Sequence, residues 1–327
     1  MTNKKLTFLG RVKRKSLHLK NKIIKPKPIK PHDVEYIGNE YVNKEQDASD
    51  LIFKTLNQEK PCLIGRFGTT ESAVIEYFLD NKNWYCEFPE ELKERISDLS
   101  GFFPSTNNAL IRFCCESIAI MKNIDILGIR AEWADNVCFE TERKFITRFA
   151  SSAKLIKTHD LLPFFDKNPW TAYLENKKVL VIHPFEETIR SQYAKRDLLF
   201  KNPKFLPKFE LKTIKAVQGL ADSKKNLPFV SWFEALDSMY KKIDATDFDV
   251  AIIGAGAYGL FLADYCKRKG KKAIVMGGAL QLFFGIKGKR WDDMPEWSKQ
   301  IYNEHWTYAS DKDKPKNYTK VEEGCYW

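Results

Sequence analysis

Residues 247–278 read DFDVAIIGAGAYGLFLADYCKRKGKKAIVMGG and decide the fold class. An apolar strand runs into a glycine-rich turn, a helical stretch follows, and a second apolar strand ends in two glycines. The glycines are Gly254, Gly256, Gly259, Gly277 and Gly278. This order is typical of Rossmann-like α/β domains, in which both strands belong to a parallel sheet. It stands unusually late in the chain, about three quarters of the way along.

The same alternation of apolar strands and helical stretches runs through the body of the chain from Asp33 onward. Seven strands are predicted, near residues 61–64, 124–129, 154–157, 179–182, 211–217, 250–253 and 273–276. Helices are predicted between them, among others at 71–79, 89–99, 107–121, 185–199 and 232–243. Such an alternation indicates a mainly parallel sheet flanked by helices. We expect one α/β domain over residues 33–327, preceded by a basic extension over residues 1–32.

Composition indicates a globular protein, because 327 residues with 43% hydrophobic content can bury a large core. The longest apolar run, residues 250–262, contains three glycines and is shorter than the ~20 residues that span a bilayer. No signal peptide precedes it, so we expect the cytoplasm. The seven cysteines lack the spacing of zinc ligands and are expected to be buried thiols.

The basic excess of the chain lies entirely in residues 1–32. The formal net charge is +11, and this extension holds 11 Lys or Arg and no acid, which leaves 43 basic and 43 acidic residues elsewhere. Apolar residues alternate with these cations, so the extension could lie on an anionic membrane surface, where each cation contributes ~1 kcal/mol. A solvated arm is the alternative. Nucleic acid is the least favoured partner, because the body is neutral.

The glycine turn can place backbone N–H groups and the positive end of a helix dipole against a phosphate. Recognition of a dinucleotide also needs an Asp or Glu about 20 residues later, for the ribose hydroxyls. No acid occurs between Asp264 and Asp292. The turn is therefore interpreted as a phosphate site without a nicotinamide, and glycines required only by a tight turn remain the alternative.

Residues that follow the predicted strands are polar and aromatic, and in open α/β sheets ligands bind at that edge. The segments are GRFGTTE (65–71), RAEW (130–133), THD (158–160), HPFEE (183–187), QG (218–219) and GGALQ (277–281). A further segment, GIKGKRW (285–291), adds Lys287, Lys289 and Arg290. These cations suit a diphosphate leaving group.

Residues 180–200, 206–221, 232–291 and 302–306 include HPFEETIR, the long glycine motif ending in GIKGKRW, and YNEHW. In these stretches the sequence resembles bacterial proteins described as having a GT-D fold-like domain, which are found among capsule, O-antigen and other surface-polysaccharide genes. The resemblance covers roughly residues 40–310. It implies a GT-D-like fold and a glycosyltransferase that moves a sugar from a nucleotide-diphosphate donor, UDP-sugar above all, to a surface glycan or its lipid-linked precursor.

GRFGTTE also resembles a segment of the founding GT-D glycosyltransferases that reads Arg-aromatic-Gly-Asp-Gly-Glu. In those enzymes the Asp-x-Glu element is associated with a divalent metal and the sugar nucleotide. Here Thr69 stands at the Asp position and Glu71 at the Glu position. The resemblance therefore carries only Arg66, Gly68 and Glu71 to the site. A Mn²⁺ or Mg²⁺ ion, if used, would rest on Glu71.

Glycosyl transfer needs groups that hold the diphosphate and a base for the acceptor hydroxyl. The predicted binding residues are Arg66, Gly68, Gly254, Gly256, Gly259, Gly277, Gly278, Lys287 and Arg290. The predicted base is Glu71, followed by His183 and by Glu132, which stands beside Trp133. Each has a structural alternative. Glu71 could be a first-turn acid that compensates a helix dipole, and His183 could only hydrogen-bond a loop. Glu132 could stand beside a Trp133 that belongs to the edge of the core.

Two other functions stay open at this point. A nucleotide- or sugar-phosphate-binding protein without catalysis would fit the missing Asp at position 69. An NAD-linked oxidoreductase is disfavoured by the missing ribose acid. The glycosyltransferase hypothesis predicts a cytoplasmic protein that can be peripheral on the inner face of the membrane, which the basic extension would suit.

Overall fold

The computed structural model describes residues 35–81, 85–130, 136–219, 227–314 and 324–327. The basic extension over residues 1–32 and the predicted base Glu132 lie outside these ranges. In the described part of the chain, no helix is both long and apolar enough to cross a bilayer.

Nine strands of the described chain form one sheet. They are β1 (Tyr36–Ile37), β2 (Glu40–Asn43), β3 (Cys62–Arg66), β4 (Ile126–Ile129), β5 (Lys154–Lys157), β6 (Lys178–His183), β7 (Glu210–Lys215), β8 (Val250–Ile253) and β9 (Lys272–Val275). Their spatial order is β1-β2-β5-β4-β3-β9-β8-β6-β7. Only the β1–β2 hairpin is antiparallel among these pairs, and all the other neighbours run parallel.

Helices connect the strands. Those described are α1 (Glu45–Leu56), α2 (Thr69–Asn81), α3 (Glu90–Ser100), α4 (Asn107–Met121), α5 (Asn136–Phe149), α6 (Glu186–Tyr193), α7 (Trp232–Asp244), α8 (Gly259–Arg268), α9 (Leu280–Phe283), α10 (Lys289–Asp292) and α11 (Pro295–Ile301). Two begin with a side-chain cap, since Thr106 accepts a hydrogen bond from the Ala109 N–H and Ser231 from the Glu234 N–H.

The central strands are buried on both faces, as expected for a parallel sheet covered by helices. Along β8, Ala251 and Ile253 pack into one core and Val250 and Ile252 into the other. The first core lies under α2, α4, α7 and α8, and the second lies under α1 and α9. Each face of the sheet therefore buries its own apolar layer, which fixes the strands that carry the site.

The predicted class, a mainly parallel α/β sheet flanked by helices, is confirmed, and each of the seven predicted strands is present. The short hairpin β1–β2 was not predicted. The predicted helix over 185–199 is shorter: α6 ends at Tyr193, and a separate 3-10 turn covers Arg196–Leu198.

The sheet positions the site through its central pair, β3 and β9. From β3 the chain continues outward to β4 on one side, whereas β9 is reached from β8 on the other. The two strands are in parallel register, with Cys62 opposite Lys272 and Ile64 opposite Ile274. Loops that leave neighbouring strands in opposite directions open a crevice at the carboxyl ends of those strands, where α/β proteins bind ligands.

Candidate functional site

A cavity of about 830 Å³ occupies this crevice. The strands β3, β4, β5, β8 and β9 each contribute residues from their carboxyl-terminal sides. These include Phe67 and Gly68, Arg130, Thr158 to Asp160, Gly256, and Gly277 and Gly278. The volume lies within the range of small-molecule and cofactor sites, roughly 300–1,000 Å³. Aromatic side chains from α10 and α11, Trp291 and Trp297, also line it.

The structure brings seven of the predicted site residues to this cavity. They are Arg66, Gly68, Glu71, Gly256, Gly277, Gly278 and Arg290. Four others, His183, Gly254, Gly259 and Lys287, do not line it.

Arg66, the last residue of β3, lies against the turn that follows β9. A Cβ on Gly277 would be 3.4 Å from Arg66 Cζ, and Gly277 itself has φ +63°, so glycine meets both the backbone conformation and the close approach. Burial and the neighbouring Arg130 guanidinium lower the pKa of Arg66. Two guanidinium groups therefore stand side by side at the carboxyl ends of β3 and β4, and we call Arg66 and Arg130 the arginine pair.

Arg130 follows β4 and is only 9% exposed. Its Nε donates to Glu142 Oε1 at 2.7 Å, and its backbone N–H donates to Glu142 Oε2 at 2.9 Å. Nη1 donates to Thr69 Oγ1. Nη2 is buried and has no hydrogen-bond acceptor among the described residues. An unpaired buried donor costs about 1–3 kcal/mol, so Nη2 is the donor of this arginine that an anionic or polar group of a ligand would satisfy.

Glu71 lies in the first turn of α2 and folds back over Gly68. A Cβ on residue 68 would overlap Glu71 Oε2. The carboxylate therefore occupies the space that the side chain of any residue other than glycine at position 68 would need. Glu71 also acts electrostatically on Arg66. Glycine at position 68 therefore serves to keep a carboxylate beside the arginine pair, at the cavity surface.

The glycine turn over residues 254–259 has mostly a packing role. A Cβ on Gly254 would lie 2.6 Å from both the Gly277 carbonyl oxygen and His183 Cδ2, and one on Gly259 would lie 2.9 Å from Val275 Cγ1. Gly256 has φ +53° and does line the cavity. The turn thus brings β8, β9 and α8 close together and offers the cavity one glycine of the three.

His183, predicted as a base, is buried at the end of β6. Its Nδ1 accepts a hydrogen bond from the Phe185 N–H at 3.0 Å, and burial lowers its pKa to about 3. The ring is therefore neutral near pH 7 and supports the turn into α6. The geometry favours the loop-bonding interpretation over the catalytic one.

Lys287, predicted to bind the diphosphate, lies elsewhere because its ammonium group packs against two rings. Nζ is 5.4 Å from the centroid of Tyr302 and 5.9 Å from that of Tyr308. These are cation–π distances. Its backbone N–H donates to the Thr307 carbonyl at 2.7 Å, which fixes the segment away from the cavity.

Tyr326 also lines the cavity, and no local sequence pattern predicted this. The Tyr326 ring fills the space above Gly278, where a Cβ would overlap it. Arg290 at the start of α10 lies 4.7 Å from the centroid of that ring and donates Nη1 to Tyr326 Oη at 3.2 Å. Its backbone N–H donates to the Cys325 carbonyl at 2.9 Å. The chain end thereby holds Arg290 at the cavity edge.

Carboxylates line the cavity where the chain leaves β5. Asp160 is 6% exposed, and its Oδ1 lies 3.1 Å from His159 Nε2. Asp166 lies farther along the same segment. The THD motif (158–160) was among the polar segments predicted to follow strands, but no role was predicted for its residues. The cavity therefore carries guanidinium groups beyond β3 and β4 and carboxylates beyond β5.

The described residues around Glu71 do not fit a metal site. Thr69, which stands where the founding GT-D enzymes have Asp, accepts a hydrogen bond from Arg130, so a cation already faces that position. In the described ranges no group of three or more His, Cys, Asp or Glu side chains is arranged to hold an ion. Glu71 alone is too small a donor set to hold a divalent ion at this position.

No protein-family model matches the sequence, and no curated protein matches it. The chain is similar to a solved structure described as "The highly conserved domain of unknown function 1792 has a distinct glycosyltransferase fold", with 12% identity and a TM-score of 0.44 over 85% of this chain and 94% of that one. A new glycosyltransferase of this domain from Streptococcus sanguinis gives 10% identity and a TM-score of 0.41 over 83% and 96%. Values this low describe a general likeness of shape, so any function must be argued from the site itself.

Proposed function

We propose that the protein is a glycosyltransferase that moves a sugar from a nucleotide-diphosphate sugar to a surface-glycan acceptor. One observation carries the proposal: Arg130 is buried beside Arg66 at the cavity, and its Nη2 lacks an acceptor among the described residues. A diphosphate supplies such acceptors and two negative charges, and guanidinium groups bind phosphate oxygens through paired hydrogen bonds. The resemblance to GT-D fold-like proteins points to the same class.

In the proposed reaction, the bond between the anomeric carbon and the leaving phosphate oxygen breaks, and its electron pair stays on the diphosphate. The arginine pair stabilises this charge as it develops, and Arg290 does so from the cavity edge. The acceptor hydroxyl oxygen forms the new bond to the anomeric carbon. Its proton passes to Glu71, whose carboxylate stands at the cavity surface beside Arg66.

The donor is proposed to be a UDP-sugar, and the acceptor a glycan or lipid-linked glycan. The aromatic side chains Trp291 and Trp297 at the cavity provide faces on which a nucleobase or sugar ring can stack. The proposed setting is the cytoplasmic face of the membrane, reached through the basic extension over residues 1–32. The sequence of that extension and the family resemblance support this part of the proposal.

The test uses the purified full-length protein with UDP-, GDP-, TDP- and CMP-sugars. A matching donor should raise the melting temperature and be slowly hydrolysed, with release of the nucleotide. Arg66→Gln and Arg130→Gln should both weaken the stabilisation. Arg268→Gln, which removes an exposed arginine paired with Asp264 on α8, should leave it intact.

Two outcomes would contradict the proposal. Stabilisation by a nucleotide sugar without any turnover, with or without added glycan acceptors, would indicate a binding protein. Stabilisation by NAD(H) alone would revive the oxidoreductase hypothesis.

A further inference from the structure

The segment after β5, residues 158–166, lines the cavity over its whole length. It begins with a 3-10 turn at Thr158–Leu161 and is held by backbone hydrogen bonds from the Leu162 N–H to the His159 carbonyl at 2.9 Å and from the Asp166 N–H to the Pro163 carbonyl at 3.3 Å. The ring of Phe164 stacks on Phe205, with centroids 4.7 Å apart. The segment is thus an ordered wall of the cavity. It is separate from the glycine turn and from the arginine pair.

Two carboxylates of this segment have an oxygen without a donor. Oδ2 of Asp160 and Oδ2 of Asp166 are both buried and accept no hydrogen bond in the described structure. Asp160 is more than nine-tenths buried, and its other oxygen lies beside His159. Buried polar groups in native proteins are nearly always hydrogen-bonded, so these two oxygens are acceptors available to a hydrogen-bond donor that enters the cavity.

The electrostatics of Asp166 agree with this. Burial raises its pKa, and the carboxylates of Asp160, Glu45 and Asp50 add to the effect, while a hydrogen bond from Ser49 opposes it. Three other carboxylates therefore lie close enough to Asp166 to act on its charge. Hydrogen-bond donors from a ligand would stabilise these carboxylates.

Phe165 adds an apolar face beside the carboxylates. Its side chain is 63% exposed and lines the same cavity, although the neighbouring backbone is anchored. An exposed aromatic ring beside carboxylate acceptors presents one apolar and one hydrogen-bonding surface. Sugars have the complementary pair, C–H faces and hydroxyl groups.

Glu45, the first residue of α1, also lines the cavity. Its φ is +51°, in the left-handed region that a glutamate rarely adopts. Backbone conformations of this kind are concentrated at functional sites. This second element brings a further carboxylate near Asp166.

We propose that Asp160, Asp166 and Phe165 form a sugar-binding subsite, in which the two carboxylates accept hydrogen bonds from sugar hydroxyls and the ring packs against the sugar. The inference rests on the proposed function. A cation is the less suitable occupant, because the described residues present no group of three metal-ligating side chains. Strand β5 lies one strand from β4 and two from β3, and the subsite and the arginine pair line the same cavity of about 830 Å³. A sugar attached to a diphosphate can contact both.

The sugar could belong to the donor or to the acceptor, and the experiment separates these sources. Calorimetric titrations of full-length protein compare UDP, GDP and TDP with the corresponding nucleotide hexoses, and an array of immobilised bacterial oligosaccharides reports acceptor binding. The variants are Asp160→Asn, Asp166→Asn and Phe165→Ala. The matched control is Asp50→Asn, which removes a carboxylate near Asp166 that does not line the cavity.

For a donor sugar, we expect the three variants to weaken binding of the nucleotide hexose on the order of tenfold, while binding of the nucleoside diphosphate changes less than about twofold. For an acceptor sugar, both nucleotides keep their affinity and the oligosaccharide signal is lost. Asp50→Asn should behave as wild type in either case. Melting temperatures verify folding, and Phe165→Ala, being a change at an exposed ring, tests the proposal even if Asp160→Asn does not fold.

The proposal is overturned if the folded variants bind nucleotide hexoses and oligosaccharides as the wild type does, or if the wild type binds no sugar at all. In the first case a nucleoside diphosphate can still bind and require Arg66 and Arg130, so the proposed function stands while the subsite fails. If the wild type binds no nucleotide but binds oligosaccharides, and this binding depends on Asp160, the subsite stands while the proposed function fails.

Discussion

Glu142 holds Arg130 through both of its carboxylate oxygens, one on the backbone N–H at 2.9 Å and one on Nε at 2.7 Å. The side chains are 10% and 5% exposed, so the ion pair is nearly removed from water. Because Nε and the backbone are both fixed, the guanidinium plane has one orientation. That orientation leaves Nη2 as the donor for which the described chain provides no acceptor.

Glu142→Gln should destabilise the protein by about 3 kcal/mol, since removing one partner of a buried pair leaves an uncompensated charge. Urea unfolding measures this. Glu116→Gln is the matched control, because Glu116 forms a largely exposed pair with Arg112 and its loss should change the unfolding free energy by less than about 1 kcal/mol. Equal changes in unfolding free energy for the two substitutions would contradict the view that burial makes the Arg130–Glu142 pair costly to break.

Gly68→Ala should move the Glu71 carboxylate without unfolding the protein, because the overlapping atoms belong to the flexible end of a side chain. If Glu71 is the base, Glu71→Gln should lower kcat about a hundredfold or more, and Gly68→Ala should lower it in the same direction. The double variant provides the control. Its kcat should match that of Glu71→Gln alone, and additive losses would mean that the two residues act independently.

Gly254→Ala should reduce stability more than Gly270→Ala. At position 254 the new methyl group would meet the Gly277 carbonyl oxygen at 2.6 Å, and backbone cannot move as easily as a side chain. We expect a loss of about 1–3 kcal/mol from overpacking. Gly270 has φ +79° with open space around it. The stability lost in Gly270→Ala should therefore reflect backbone strain alone, about 1 kcal/mol. Comparison of the two urea midpoints tests the ranking.

His183 should contribute to acid lability. The folded protein keeps this residue neutral, with a pKa of about 3 against an ordinary value of 6.5. Between these values the unfolded chain binds the extra proton, so the free energy of unfolding falls as the pH falls, by up to about 1.4 kcal/mol per pH unit. Below about pH 3 the contribution levels off. His183→Gln removes this pH-dependent contribution. The difference in unfolding free energy between wild type and variant should therefore shrink from pH 7 to pH 4. Parallel curves of unfolding free energy against pH would show that His183 does not titrate in this way.

The basic extension should bind anionic membranes if the proposed setting is right. Full-length protein is expected to sediment with phosphatidylserine vesicles, and to be released as salt rises, because each cation contributes ~1 kcal/mol only within about a Debye length. A chain with the 11 Lys and Arg of residues 1–32 replaced by Gln should stay in solution. Neutral phosphatidylcholine vesicles are the control, and equal binding to both would argue against an electrostatic contact.

Much of the fold could be predicted because the central strands are continuous apolar runs, and these report burial directly. The hairpin β1–β2 escaped prediction because strands of two and four residues carry too little periodicity. At the site, glycines and the Arg66–Glu71 motif were visible as local patterns. The Arg130–Glu142 pair was not, since it depends on how α5 packs beside β4, and a single arginine after a strand has no distinctive spacing.

Lys287 is a predicted site residue that the structure places outside the cavity lining. A cation near glycines and close to Arg290 in sequence pointed to phosphate, yet the tyrosines that surround its ammonium group lie 15 and 21 positions farther along the chain. Tyr326 over Gly278 is a similar case, because only tertiary contact joins them. Local sequence predicted which strand ends matter, while side-chain direction depended on residues distant in sequence.

The neighbouring positions of β3 and β9 at the centre of the sheet also bear on how the protein is made. Of the parallel strands at the cavity, β3 leaves the ribosome first and β9 last, yet they pair directly. Contacts between such distant segments form slowly, because a long stretch of chain must be ordered first. The nascent chain therefore leaves this edge of β3 unpaired until β9 has been translated, and a ligand of the cavity can stabilise the fold only after that point.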